Sequence, residues 1–232
     1  LYAKGINLQT APSLIKQAAL SGLWEYDFSN CHFALLAQMA ARYGYQCEAL
    51  AHYLTHKKDT RQAIAAQAGI TGAEAKLCLL AVMYGARASE WHENAIPEAI
   101  GQEATTRLLQ VEQFKAISTD VAKARTTILK HWPRRTSNGR LTHDFGRAID
   151  GKASPAERLA HLLQGVEALA LKAVIDLCPH RICLVQHDGF AAAARLDCRA
   201  IEQAVFKATG YRLGLEEKQI QPDPDAYFLS RF

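Results

Sequence analysis

Two carboxylates and one lysine are spaced so that chemistry can be built from them. Asp188 lies in Leu184-Val-Gln-His-Asp-Gly-Phe190, directly after the short apolar, β-branched run 182–186. That run reads as a buried strand, and the glycine after the acid allows a tight turn into a return strand over 190–194, leaving His187 and Asp188 at the hairpin tip. Asp27 closes a strand-like stretch, 24–28, just before the alanine- and leucine-rich helical pattern of 31–43. A strand-to-helix junction leaves backbone groups free to point at a ligand. Carboxylates in such places can hold a metal ion; each alone reads equally as an ordinary turn acid. Lys76 and Tyr84, eight residues apart with Leu80 between them, share a face of a helix predicted over 72–84. A cation, an apolar surface and a ring along one stripe suit a nucleotide, although an amphipathic helix with an exposed lysine has the same pattern.

The elements that must position these groups alternate little and are mostly helical. An entry segment bearing Gly5 and Pro12 runs into a short helix at 13–19. After the 31–43 helix come helical patterns at 47–54, 60–68 and 72–84, then a charged helical region from 97 to 130 that ends at Trp132-Pro133. Arg134-Arg-Thr-Ser-Asn-Gly-Arg140 is a basic turn, with Asn138-Gly139 at a hairpin bend, and its arginines suit either a phosphate backbone or open solvent. A long amphipathic helix over 156–178 carries Gln164-Gly165. A last helix, 197–208, precedes a strand at 211–215 and an irregular tail with Pro222 and Pro224. No repeat is present, and the mixture predicts an α+β fold with helices around a few antiparallel strands.

With 232 residues, 49% of them hydrophobic, the chain can bury a substantial core. A net charge of +4 permits a polyanionic partner without requiring one. The six cysteines form no C-x-x-C pair and sit in apolar contexts, so they read as reduced core residues of a cytoplasmic protein and not as a zinc site. No signal peptide and no membrane-spanning run are found. The start at Leu1, without Met, suggests a fragment.

In combination the pieces resemble the palm and fingers of single-subunit nucleic acid polymerases, the superfamily of family A DNA polymerases and phage-type RNA polymerases. Asp27-Phe28-Ser29 is similar to the first acidic motif, D-x-S; Lys76 with Tyr84-Gly85 to the fingers motif, K-x7-Y-G; and His187-Asp188 to the second acidic motif, H-D. Asn7-Leu8-Gln9 with Pro12 resembles the N-L-Q-x-x-P segment, and Gln164-Gly165 the Q-G pair before the second acidic motif. The motifs fall in order along nearly the whole chain.

The resemblance implies a palm made of residues 1–46 and 132–232, with a small antiparallel sheet, and a helical fingers subdomain at 47–131. It implies a DNA-dependent nucleotidyltransferase in which Asp27, Asp188 and the Phe28 carbonyl hold two Mg²⁺ ions, Mn²⁺ being an alternative. Lys76 would contact the triphosphate and protonate the leaving group, with Leu80, Tyr84 and Gly85 around the nucleotide. His187 would approach the primer terminus and Gln164 the nascent pair. Arg134, Arg135 and Arg140 are the basic nucleic-acid contacts. The partners implied are a template and primer, DNA for preference, and nucleoside triphosphates, with no membrane. A thumb or accessory domain is expected upstream of residue 1 or on a partner protein.

The departures bear on substrate. Gly72 stands where family A fingers usually carry an arginine, so the triphosphate must lean on Arg61, Lys57, Lys58 or Arg87. His32 stands where DNA-synthesising members have a glutamate that helps exclude the ribose 2′-hydroxyl, and Gly189 where they have another. The loss of the first glutamate, with Leu80 in place of a bulky aromatic, favours RNA or primer synthesis, whereas Asn7-Leu8-Gln9 and Gln164-Gly165 lean towards a family A DNA polymerase of phage or plasmid replication. A non-catalytic nucleic-acid-binding module with a degenerate polymerase fold is the remaining alternative.

Overall fold

Burial alternates along Tyr26, Asp27 and Phe28 of the central strand Trp24–Phe28. Tyr26 and Phe28 are fully buried, while Glu25 and Asp27 share the opposite, open face. The computed structural model describes residues 7–91 and 93–221. The chain divides into two compact units, Leu1–Cys31 with Val166–Phe232, and His32–Gly165.

The first unit contains α1 (Ser13–Ala19), β1 (Trp24–Phe28), β2 (Ile182–Gln186), β3 (Gly189–Ala192), α10 (Cys198–Thr209) and β4 (Leu215–Gln219). The strands form one antiparallel sheet in the order β2-β3-β1-β4. Tyr26 and Phe190 are register partners on its buried face, stacked with centroids 4.9 Å apart. Such a pair adds about 1 kcal/mol beyond the area it buries. α10 is capped by Asp197, whose carboxylate accepts from the amides of Arg199 and Ala200, and it stops at left-handed Gly210.

The second unit is helical. Between α2 (Cys31–Arg42) and α9 (Pro155–Leu177), each of which crosses the division by part of its length, lie α3 (Glu48–Thr55), α4 (Lys57–Ala68), α5 (Gly72–Met83), α6 (Ala95–Ile100), α7 (Gln102–Leu108) and α8 (Glu112–His131). Helix α3 has no side-chain cap of its own. The buried Asp120 of α8 supplies one, accepting from Leu50 N–H at 3.0 Å and from the Tyr45 hydroxyl at 2.7 Å. The architecture is a small antiparallel sheet with helices plus a helical subdomain, the α+β class expected.

Several boundaries differ from the sequence reading. The last strand is at 215–219, not 211–215. Tyr211 and Leu213 instead plug the core as a connector, and the Leu-Glu-Glu-Lys-Gln edge strand hides its period behind charge on both faces. The polar 56–59 stretch is not a loop, because α4 starts at Lys57 after a break at His56. The region 97–130 is three helices, interrupted at Gly101, which has φ 78°, and at 109–111. The cysteines are all free, but only Cys31, Cys47 and Cys78 are core residues; Cys183 is exposed, on the outer strand β2. Pro222 and Pro224 lie outside the described residues.

Candidate functional site

Asp27 sits near the end of β1 with a neighbour on each side. Its register partner on β3 is Gly189 and on β4 is Glu216. The β2–β3 loop is two residues, His187 and Asp188, and it folds back over the end of β1, where Phe28 N–H donates to the Asp188 carbonyl at 3.0 Å. This bond fixes the second acid beside the first, and the two carboxyl groups hydrogen-bond to one another.

The turn is not built as its sequence suggests. The left-handed residue is His187, with φ 45°, and Gly189 does not have a positive φ. The glycine is required for a different reason: a Cβ there would lie 2.6 Å from the Tyr26 carbonyl oxygen and 3.2 Å from Asp27 Oδ1. A side chain at 189 would press into the β1 backbone and against Asp27, so a glutamate does not fit there without displacing the strand. The third acid of this face comes from the other side. Glu216, which the sequence reading missed because β4 was misplaced, accepts from Ser29 Oγ at 2.6 Å.

The electrostatics follow from this crowding. The Asp27 carboxyl is pushed up to about 7, first by loss of hydration and then by the negative charges of Asp188, Glu216 and Glu25 and its hydrogen bond with Asp188. Asp27 keeps solvent exposure, and an open depression of about 350 Å³ beside it is lined by Glu25, Asp27, Glu216, Glu217 and Lys218. The nearby Cys31 thiol, at the start of α2, is pushed well above its ordinary value by burial and then by the fields of Glu167, Asp188 and Asp27. Lys218 offsets part of the charge through Glu25, at 2.8 Å.

Two carboxylates this close resist ionising together at neutral pH, a cation between them would favour both charged forms, and an all-oxygen donor set suits Mg²⁺ or Mn²⁺. Among the described residues no three His, Cys, Asp or Glu side chains converge as a metal cage. The donor pair therefore fits an ion that completes its shell with water and substrate oxygens.

The entry segment braces the hairpin. Gln9 Nε2 donates to the Val185 carbonyl at 2.5 Å, Asn7 Oδ1 accepts from Gln9 N–H, and Lys16 Nζ donates to Gln186 Oε1 at 3.5 Å. The Asn7-Leu8-Gln9 motif thus acts on β2, the strand that delivers Asp188.

In the second unit, α5 starts with a capping box between Thr71 and Glu74 and buries Ala75, Cys78, Leu79, Val82 and Met83. Lys76 is exposed, Leu80 half-buried, and Tyr84, the C-cap, is 50% exposed. The Tyr84 hydroxyl is 2.8 Å from His32 Nδ1, and the rings meet edge to face at 5.8 Å. Gly85 follows with φ 106°, its missing Cβ leaving room for Ala156. Gly165 is explained in the same way, since a Cβ there would lie 2.7 Å from His143 Cβ; Gln164 beside it is half-buried. Of the cations considered for the triphosphate, Arg61 is engaged with the Tyr53 hydroxyl at 2.9 Å, while Lys58 and Arg87 are exposed.

The basic turn splits its arginines. Arg134 forms an ion pair with Asp144 at 2.6 Å, whereas Arg135 and Arg140 are exposed on the turn at Gly139, which has φ 80°. The Asp144 carboxylate is nearly buried, and desolvation raises its pKa against the pull of Arg134.

No protein family and no curated protein sequence matches this chain. Among solved structures, the POL domain of Pol1 from M. smegmatis, in complex with DNA primer-template and dNTP, aligns over 91% of the chain with a TM-score of 0.54 and 18% identity. The chain spans 43% of the length of that structure. What the two share is the fold, a palm-like small antiparallel sheet with helices.

Proposed function

We propose that this protein is a metal-dependent, template-directed nucleotidyltransferase that extends a nucleic acid strand from nucleoside triphosphates. The observation that carries the reading is the Asp27–Asp188 pair, two acids held in contact by the sheet at the cost of mutual repulsion. Such an arrangement is unfavourable for the apo fold alone and becomes favourable when a cation binds.

In this reading residues 1–46 and 132–232 form the palm and 47–131 the fingers. Asp27, Asp188 and the Phe28 carbonyl hold two divalent ions. When bound, these ions would neutralise charge on the attacking 3′ oxygen and on the leaving pyrophosphate. The chain's own residues do the remainder. Lys76, exposed on α5, binds the triphosphate and donates a proton to the leaving group. Tyr84, with Leu80 and Gly85 beside it, offers its exposed ring to the base, and His32 fixes that ring through the hydroxyl. His187 contacts the primer terminus and Gln164 the nascent pair. The basic turn holds the template-primer duplex, with DNA as the template.

Histidine at position 32 bonded to Tyr84 supports relaxed sugar discrimination, hence RNA or primer synthesis. Incubation with Mg²⁺, primed or unprimed DNA and labelled NTPs or dNTPs should give incorporation, ribonucleotides being accepted. Folded protein that binds DNA yet incorporates neither contradicts the proposal.

A further inference from the structure

We propose that the cleft between the 135–141 turn and the first turn of α9 is a phosphate site that grips one phosphate of a nucleic-acid strand. It encloses about 220 Å³ and is lined by Arg135, Arg140 and Arg158 together with Asn138, Asp150 and Gly151. Arg158 was not singled out by the sequence, since it lies in a helix 18 residues beyond Arg140.

Two of the three guanidinium groups are fixed by neutral acceptors. Arg158 donates through Nε to the Ala153 carbonyl and through Nη2 to the Gly151 carbonyl, both at 2.7 Å. Arg135 donates to the carbonyls of Gly139 and Leu129, at 3.2 and 3.3 Å. Carbonyl oxygens orient a guanidinium without cancelling its charge, so each retains its positive field and N–H groups for a further acceptor. Arg140 makes no side-chain hydrogen bond to another described residue, and a Cβ on Gly151 would lie 4.0 Å from its Nε. The only acid in the lining is Asp150, whose carboxylate accepts from Lys152 N–H at 2.9 Å. Among the described residues no carboxylate forms an ion pair with Arg135, Arg140 or Arg158.

Arg134 shows the contrast. One residue away, its charge is neutralised by Asp144. The cleft therefore gathers three cations that no described carboxylate pairs with, and three guanidinium groups lining one small volume suit a tetrahedral oxyanion. The choice of a nucleic-acid phosphate as that oxyanion rests on the function proposed above; the anion site itself does not depend on catalysis at Asp27 and Asp188.

The test is fluorescence anisotropy of the full chain with a labelled primer-template at several salt concentrations, comparing wild type, R140A, R135A/R140A and the charge control K123A on the exposed face of α8. Circular dichroism checks that each variant is folded. R140A should weaken binding several-fold and lower the salt slope by about one, the double variant should lower it further, and K123A should change neither. Repeating the titrations with 5′-hydroxyl and 5′-phosphorylated strands identifies the source. Equal losses assign an internal phosphodiester, and a loss confined to the phosphorylated strand assigns a terminal phosphate. If wild type binds and folded R135A/R140A binds with the same affinity and slope, the cleft is not a phosphate site although the proposed function stands. If wild type binds no nucleic acid, the phosphate site and the proposed function both fall.

Discussion

Asp27 and Asp188 are joined twice, once by their carboxyl groups and once by the bond from Phe28 N–H to the Asp188 carbonyl. The backbone link holds the hairpin turn that carries Asp188 against the end of β1, beside Asp27. Stability should therefore depend on pH in an unusual direction. The Asp27 pKa is about 7 in the fold and 3.8 when unperturbed, so between these values the folded chain binds a proton that the unfolded chain does not. Stability is then lost as pH rises from about 4 to about 7. The groups that set this are Asp188 on the hairpin, Glu25 with its partner Lys218, and Glu216 on β4. Denaturant titrations in chelator at pH 5 and pH 8 should show the loss, and D27N should remove most of it.

Glu216 contributes to that field from the strand opposite Asp27. E216Q should lower the Asp27 pKa, while D188N should lower it more, because Asp188 repels the Asp27 charge more strongly and is also its hydrogen-bond partner. Carboxyl NMR titration of the metal-free protein reads both shifts. Equal Asp27 titration in wild type and E216Q would show that the β4 carboxylate plays no part.

Gly189 is held by packing and not by backbone conformation. G189A should destabilise the fold by about 1–3 kcal/mol, since the new methyl meets the Tyr26 carbonyl at 2.6 Å in the middle of the sheet. G189E should be at least as harmful, so a glutamate placed there should not improve catalysis. Chemical denaturation checks the first statement and steady-state incorporation the second.

How much of this was legible in the sequence depends on how each residue is held. The β1 strand and the place of Asp27 were readable, because apolar Tyr26 and Phe28 alternate with charged Glu25 and Asp27 and a helical pattern begins at Cys31. The hairpin position of Asp188 was readable from its apolar run. The reason for Gly189 was not, since a close approach between β3 and the Tyr26 carbonyl is a tertiary fact with no local signature. Glu216 was missed because Leu215–Gln219 is a charged edge strand without apolar alternation. Arg158 was missed because nothing local in the first turn of α9 signals that it shares a cleft with the 135–141 turn.

His32 and Tyr84 should couple energetically. The 2.8 Å bond is lost in either H32A or Y84F, so a double-mutant cycle on stability should give about 1 kcal/mol of interaction. In the proposed enzyme Y84F keeps the ring but loses its anchor, and KM for the nucleotide should rise more than kcat falls.

Lys76 is exposed and bears on no packing, so K76A should leave thermal stability within about 0.5 kcal/mol of wild type. Its incorporation rate should fall by roughly 10²-fold or more if the lysine serves triphosphate binding and proton donation. Equal rates would remove Lys76 from the reaction.

The central claim is that the Asp27–Asp188 pair carries nucleotidyl transfer. Single-turnover incorporation on a primed DNA template with saturating Mg²⁺, comparing wild type with D27N and D188N, measures it directly. Each variant is predicted to remain folded, to bind the template, and to lose roughly a thousandfold in rate, equivalent to about 4 kcal/mol. Folded D27N and D188N that incorporate at the wild-type rate would contradict the account.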